Sequence, residues 1–450
     1  MKVPRFDVSR FVPPRVDAVL RSPALGAFFV YLVGVALRVR YTIDIHPPER
    51  FVDSDMYLYV TLAQRLRNTS IPLGPWDVTH PLGYPALLSF LSSGGALLAR
   101  ATTVQLVVSC LVPLAVGLLG AVAFGRRTGR LALAFASLYF PFIEFGALFL
   151  SEIHFILWLA LAFAAFLAAR GARRQAVALG LALAGGFALS VAISMKNVGL
   201  LAAIGFFAVE GVALLLVRGP QSGGASWRAR LRPWVLRVAM VAVGAAPVMI
   251  TLTRVCTRAN RGHFCVGGNK AAADFLLGHY GRVAGIDWAE DQGHGFFFGS
   301  PGSHLRHYDD RVRVPFVMTD SASNAAEAWR WIAAHPWEAI VLSLDHIYDT
   351  FLGVAMWPSY GHASWPYAHL FQYVFVVLLF LPTLYACVLV ARRGVRAFLT
   401  SRTALVLAPV AALTVTVAIA TGEVRYRIPF DIFFIAVAAA LATGDLRRQP

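Results

Sequence analysis

Long apolar segments separated by arginine clusters at every second gap constrain this chain more than any other feature. Several segments reach the roughly 20 apolar residues that a helix needs to cross a bilayer. A mean hydropathy of +0.64 over 450 residues excludes a soluble globule. A formal charge of +16 would suit a nucleic-acid partner only if the cations shared a binding face, and here they follow topology instead. Lys2, Arg5, Arg10, Arg15 and Arg21 precede the segment at 23–43, and Arg126, Arg127 and Arg130 follow the one at 103–124. Then come Arg170, Arg173 and Arg174; Arg218, Arg228, Arg230, Arg232 and Arg237; Arg392, Arg393, Arg396 and Arg402; and finally Arg447 and Arg448.

By the rule that positive charge stays inside, these clusters are cytoplasmic. The turns at 44–80, Ser151-Glu152, Lys196-Asn197, 254–338 and 422–427 are then external. The expectation is an all-α polytopic protein with about ten spans, both termini inside. Two further apolar runs, 82–98 and 339–356, cannot be crossings without putting a later arginine cluster on the wrong side. They are read as interfacial helices in the outer loops. Arg38 and Arg40, near the outer end of the first span, break the pattern and are expected to snorkel to lipid phosphates. The basic N-terminus leads into a full-length span without a small-residue cleavage site, so that helix reads as an anchor.

The expected division is a basic cytoplasmic segment 1–22, an N-terminal transmembrane catalytic module 23–252 with outer loop 44–100, an outer loop 253–366 with an interfacial helix, C-terminal transmembrane helices 367–443 and a tail 444–450. The preference for Arg over Lys, with much Ala, Val and Gly, leans towards a GC-rich bacterial genome and hence an inner-membrane protein whose site faces the exterior.

Cys110 and Cys387 fall within spans, whereas Cys256 and Cys265 share the large outer loop, where a disulfide and a Cys/His metal site both remain open. That loop also holds His263, His279, His294, His304, His307 and His335, spaced as no recognised zinc pattern. Gly-rich stretches at 264–269 and 293–299 read as irregular backbone, and 325–332 reads as a helix stopping at His335-Pro336. No phosphate-binding P-loop or dinucleotide fingerprint is present, so neither ATP nor a nicotinamide is indicated.

Charge is scarce, at 14% of residues, so the external Asp53-Ser54-Asp55 stands out as a candidate reaction centre. A helix N-cap is the competing reading.

Asp55, Tyr59, Ala63 and Leu66, followed by His80-Pro81-Leu82-Gly83-Tyr84-Pro85, resemble the first outer loop of the GT-C membrane glycosyltransferases. Leu150-Ser151-Glu152, the Asn/Gly-rich segment 260–269 and Gly422-Glu423-Val424-Arg425-Tyr426-Arg427-Ile428-Pro429 resemble later elements of that superfamily, in the same order. The likeness covers nearly the whole chain and is nearest to the bacterial protein-mannosyltransferase-like and aminoarabinose-transferase-like members. It implies transfer of a sugar from a polyprenyl-phosphate donor to a glycan, lipid or protein acceptor at the outer face. By the Tyr/Ala offsets the catalytic base falls on Asp55; Asp53 finds Thr61 where Ala is expected, and Ser54 separates two acids that many relatives place side by side.

The chemistry suits these residue types, because an attacking hydroxyl needs a proton acceptor and a departing phosphate needs cations. Asp55 would supply the first, and Lys196, Arg425 and Arg427 the second, although each cation could instead be an interfacial anchor. Tyr59, His80 and Glu152 join them as substrate-site candidates; Glu152 could equally be a bonded turn residue, and His80 and His154 structural histidines. The sequence leaves a divalent metal open and indicates no other cofactor. Two other classes fit a polytopic chain: a secondary transporter, which should show repeated halves and mid-membrane ionisable groups, and a non-catalytic flippase or assembly subunit, which would not need the acids.

Overall fold

The structure is a computed structural model, and it describes residues 22–52, 54–68, 72–92, 97–216, 227–279, 285–288, 293–295, 313–316, 319–353 and 368–448. The N-terminal basic cluster, Asp53, Arg218, His304 and His307 lie outside the described residues.

Helices dominate. In chain order they are α1 (Pro23–Arg40), α2 (Ser54–Arg67), α3 (Gly83–Leu91), α4 (Leu97–Phe124), α5 (Arg126–Leu138), α6 (Phe140–Gly146), α7 (Glu152–Gly171), α8 (Gln175–Met195), α9 (Val198–Leu216) and α10 (Trp227–Ala259). After these come α11 (Ala271–His279), α12 (Ser321–Ala334), α13 (Pro336–Phe351), α14 (Ala368–Phe375), α15 (Leu381–Ala391), α16 (Val395–Thr400), α17 (Arg402–Ile419), α18 (Val424–Arg427) and α19 (Asp431–Ala442). A π-helical turn, Val376–Phe380, joins α14 to α15.

Eight helical stretches among the described residues are long and apolar enough to cross a membrane. The two further crossings that the arginine alternation asks for fall on interrupted segments, α5 with α6 and α18 with α19. Pro141 lies in the first turn of α6 and has no N–H for the Ser137 carbonyl, so α5 cannot run on into α6, and Tyr139 between them is extended (φ −71°, ψ 104°). Each interrupted piece runs the full depth of the bundle. Thr128, near the start of α5, hydrogen-bonds Asp445 beyond the end of α19 at 2.8 Å, while Arg425 at the start of the second piece meets Glu152.

Arg38 departs from expectation. It does not snorkel: it is 1% exposed and donates to the carbonyls of Ala136 (3.1 Å), Ser137 (2.6 Å) and Gly34 (3.0 Å) and to Ser109 Oγ (3.1 Å). Because α5 ends inside the bundle, its last carbonyls lack intrahelical partners, and the guanidinium supplies them where water cannot. Arg40 pairs with Asp44 at 2.6 Å on the surface.

Small residues bring the central spans together. A Cβ at Gly186 would lie 2.1 Å from the Val241 carbonyl oxygen, and one at Gly244 would lie 2.1 Å from that of Leu183, so α8 and α10 touch backbone to backbone. The run 82–98 yields only the nine-residue α3 before α4 begins, and 339–356 falls largely on α13; neither is among the eight crossing-length helices. In the segment between α11 and α14, Asp320 caps α12, and Pro336 opens α13 rather than merely ending its predecessor. Of the two stretches read as irregular, 264–269 carries no helix or strand, whereas Gly293–Gly295 within 293–299 is a strand of a small sheet of order β2-β1-β3. Strand β1 (Gly285–Trp288) pairs antiparallel with β2 (Gly293–Gly295) and parallel with β3 (Arg313–Phe316).

The arginine clusters and the acids expected to be external occupy opposite ends of the same helices. Glu152 opens α7 and Arg170 closes it, Arg174 precedes α8 and Lys196 follows it, and Arg402 opens α17 whereas Arg425 follows that helix.

Candidate active site

Helix α2 presents Asp55 in its first turn. Met56, Tyr59 and Ala63, spaced three and four residues apart, bury one face of this helix, while Tyr57 points outward. The Tyr59 ring meets His80 and Tyr84 edge-on at 5.9 and 5.4 Å. The loop carrying His80 is fixed by an Arg65–Asp77 pair at 2.5 Å and by Asp77 Oδ2, which accepts from the Gly74 amide at 2.8 Å.

Four ionised groups form a chain at the mouth of the bundle. Arg425 Nη2 lies 2.8 Å from Asp55 Oδ2, Arg425 Nε lies 2.5 Å from Glu152 Oε1, and Lys196 Nζ reaches the same Glu152 oxygen at 3.0 Å. Glu152 is fully buried, whereas the Asp55 side chain keeps 28% of its surface. Burial opposes the charge on Asp55, but the Arg425 guanidinium, with His80 and Lys270, outweighs it and holds the carboxyl well below the usual carboxylate range. Burial, reinforced by Lys270, draws His80 down to about 4, so its ring is neutral near pH 7. Lys196 is also pulled down by burial, against the attraction of Glu152.

Asp55, Tyr59, His80, Lys196 and Arg425 all line one cavity of about 320 Å³. Its remaining polar wall includes Lys270, Asp274 and Tyr426; its apolar wall is the adjoining ends of two membrane-length helices, with Val198 and Leu201 from α9 and Leu413 and Val417 from α17. Glu152 stands behind this wall as the anchor of two of its cations. Arg427 does not join them. Its guanidinium is 2% exposed, pairs with Asp431 at 3.1 Å, donates to Gln372 Oε1 at 2.9 Å and covers the Phe375 ring at 3.4 Å. One helical turn cannot aim both arginines at the same place. His154 is also elsewhere, bonded to Gln105 Oε1 at 2.9 Å, and Gln105 Nε2 in turn donates to the carbonyls of Phe145, Leu148 and Leu150.

The sequence reading missed Lys270 and Asp274. Their four-residue spacing just after the Asn/Gly-rich segment was the available signal, hidden in a loop of balanced charge. That segment packs onto the first loop: the Asn269 amide donates to Val78 O at 3.0 Å, and a disulfide joins Cys256 to Cys265. A close approach holds the far wall, since a Cβ at Gly422 would lie 2.0 Å from the His346 carbonyl oxygen. Among the described residues no group of three or more His, Cys, Asp or Glu gathers to hold a metal ion.

Residues 82–253 match the family model described as dolichyl-phosphate-mannose-protein mannosyltransferase. That match covers less than half of the chain, and the likeness to solved structures is one of fold. Two solved structures of the Archaeoglobus fulgidus oligosaccharyltransferase align with 93% of the chain. The apo form is 16% identical, with a TM-score of 0.51 over 50% of its own length; the form tethered to an acceptor peptide containing the NVT sequon is 13% identical, with a TM-score of 0.50 over 49%. The chain therefore spans about half the length of those structures. No curated protein matches it.

Proposed function

We propose that the chain transfers a sugar from a polyprenyl-phosphate-linked donor to an acceptor hydroxyl or amide at the outer face of the membrane, a protein being the acceptor that the matched family's description favours. The observation that carries this reading is the meeting of two carboxylates, Asp55 and Asp274, with three cations, Lys196, Lys270 and Arg425, in a cavity whose other wall is two membrane helices. That combination suits a ligand with a phosphate head and a long apolar tail.

In the reaction the acceptor attacks the anomeric carbon, Asp55 takes the acceptor's proton, and the bond from that carbon to the phosphate oxygen breaks, leaving a lipid phosphate. The cations offset the charge that develops on the departing oxygen. On Arg425, Asp55 has too little proton affinity to be an effective base. A donor phosphate competing for Nη2 would loosen that pair and raise the carboxyl towards a useful range, so the base becomes effective only when the donor is in place. Asp53, outside the described residues, is assigned a supporting role. The described residues do not fit a metal centre, because Asp55 is paired with Arg425 and no group of three or more His, Cys, Asp or Glu gathers among them.

Release of polyprenyl phosphate by the full-length protein in liposomes, supplied with a panel of polyprenyl-phosphate sugars and an acceptor peptide, tests the activity. Failure of every donor to turn over would reject it. The outer-face assignment is tested by cysteine labelling at Gly74 and Gly295. Reagent reaching either position only from the cytoplasmic side would separate the site from an external acceptor and overturn that part.

A further inference from the structure

Two of the three cavity cations are fixed and one is not. Arg425 and Lys196 share Glu152, with side chains 7% and 18% exposed. Lys270 instead meets Asp274, four residues on, at 3.3 Å, and these two side chains are 30% and 31% exposed. The mounting of Lys270 is nevertheless firm. Its neighbour Asn269 is buried, donating from its amide to Val78 O at 3.0 Å and from Nδ2 to Pro75 O at 3.2 Å and Asn260 Oδ1 at 3.0 Å. A flexible side chain is thus carried on an anchored backbone at the wall of the cavity.

We propose that Lys270 is a ligand of the donor's phosphate and that Asp274 is its built-in competitor: the ammonium leaves Asp274 for an incoming phosphate oxygen and returns when the lipid phosphate departs. This rests on the transferase reading above. No covalent bond changes; one charge-assisted contact replaces another. A lysine suits the task because its ammonium is a compact charge on a four-carbon stem, able to follow a phosphate that becomes a monoester when the sugar leaves. Arg425 and Lys196, tied to Glu152, hold a fixed position. Loss of solvent around Asp274 already raises its carboxyl's pKa despite Lys270, so after the exchange it can take up a proton rather than stand as an unpaired anion. The competition lowers donor affinity by the fraction of time Lys270 spends on Asp274, and it speeds product release by offering the lysine an alternative partner.

The experiment measures binding of farnesyl phosphate, a short polyprenyl phosphate, to the full-length protein in detergent, by equilibrium titration. Lys270→Ala is expected to weaken it about ten- to a hundredfold, and Lys270→Arg to restore it to within several-fold. Asp274→Asn, which removes the competitor and keeps the shape, is expected to tighten binding about threefold or more. Inorganic phosphate is expected to bind at least about tenfold more weakly than farnesyl phosphate, because it leaves the apolar wall uncovered. The opposite signs for Lys270→Ala and Asp274→Asn are the decisive readout, since a merely structural pair would lower the melting temperature in both variants and leave both affinities alike. Unchanged affinity in Lys270→Ala, or weakening in Asp274→Asn, overturns the proposal, as would equal binding of the two phosphates. Absence of farnesyl phosphate binding by the wild type would instead overturn the transferase reading itself.

Discussion

Among the described residues, two buried carboxylates each gather two cations, one at either end of the same helices. At the cavity end, Glu152 receives Arg425 and Lys196 at 2.5 and 3.0 Å. At the arginine-cluster end, Glu210 on α9 receives Arg237 at 2.7 Å and Arg170 at 3.7 Å. The chemistry is alike and the setting is not. Glu152 has a cavity in front of its cations and a further carboxylate, Asp55, on the far side of Arg425. The Glu210 group joins α7, α9 and α10 and does not line that cavity. Of the two ion clusters, the one whose members also face open space is the candidate for function.

The largest effect that would break this contrast belongs to Asp55. Asp55→Asn keeps size and most hydrogen bonding but cannot accept a proton, so transfer should fall about 10² to 10⁴-fold in reconstituted protein while binding of polyprenyl phosphate persists. Wild-type rates would end the base assignment. A smaller loss is expected in Asp53→Asn.

The matched pair of glutamates comes next. Glu152→Gln releases both cations from their anchor and should cut transfer by roughly one to two orders of magnitude. Glu210→Gln should leave turnover per folded molecule unchanged and cost about 2 kcal/mol, seen as a lower melting temperature. Equal activity losses in the two variants would erase the distinction between the ends.

Two arginines two residues apart sharpen it further. Arg425→Gln should raise the donor concentration needed for half-maximal rate roughly ten- to a hundredfold. Arg427→Gln leaves Asp431 buried without its cation and should lower stability by about 3 kcal/mol, with donor dependence intact in whatever protein remains folded. A donor-specific defect in Arg427→Gln would show that the network around Phe375 reaches the cavity.

The smallest expected effect is a null one in pH. Asp55 in the donor-free protein stays ionised to well below the usual carboxylate range, and His80 is neutral above about 4. Neither titrates between pH 5 and 8, so kcat/KM for the donor should be flat there. A limb near 6.5 would mean that His80 carries a proton in the reaction.

The primary sequence determined the solvent, and its arginine order carries the expected direction of the chain through it. Twenty-residue apolar runs and alternating arginine clusters are read by the bilayer segment by segment, with no need of distant contacts, and this made an all-α polytopic architecture legible. Asp55, Tyr59 and the acid after α6 were visible for a related reason, since charge in so apolar a chain has few structural uses. What needed tertiary structure was aim and partnership. Arg425 and Arg427 look alike in the chain, but α18 turns one to the cavity and the other to Asp431. Arg38 reads as a snorkelling residue until α5 is seen to end beside it with carbonyls to satisfy. Lys270 and Asp274 lie about 200 residues from Asp55 in sequence and enter the site only because Asn269 fastens their loop to Val78. Hydropathy and charge order act locally along the chain, whereas the pairing of ionised groups depends on which helix ends meet, and only the packed bundle decides that.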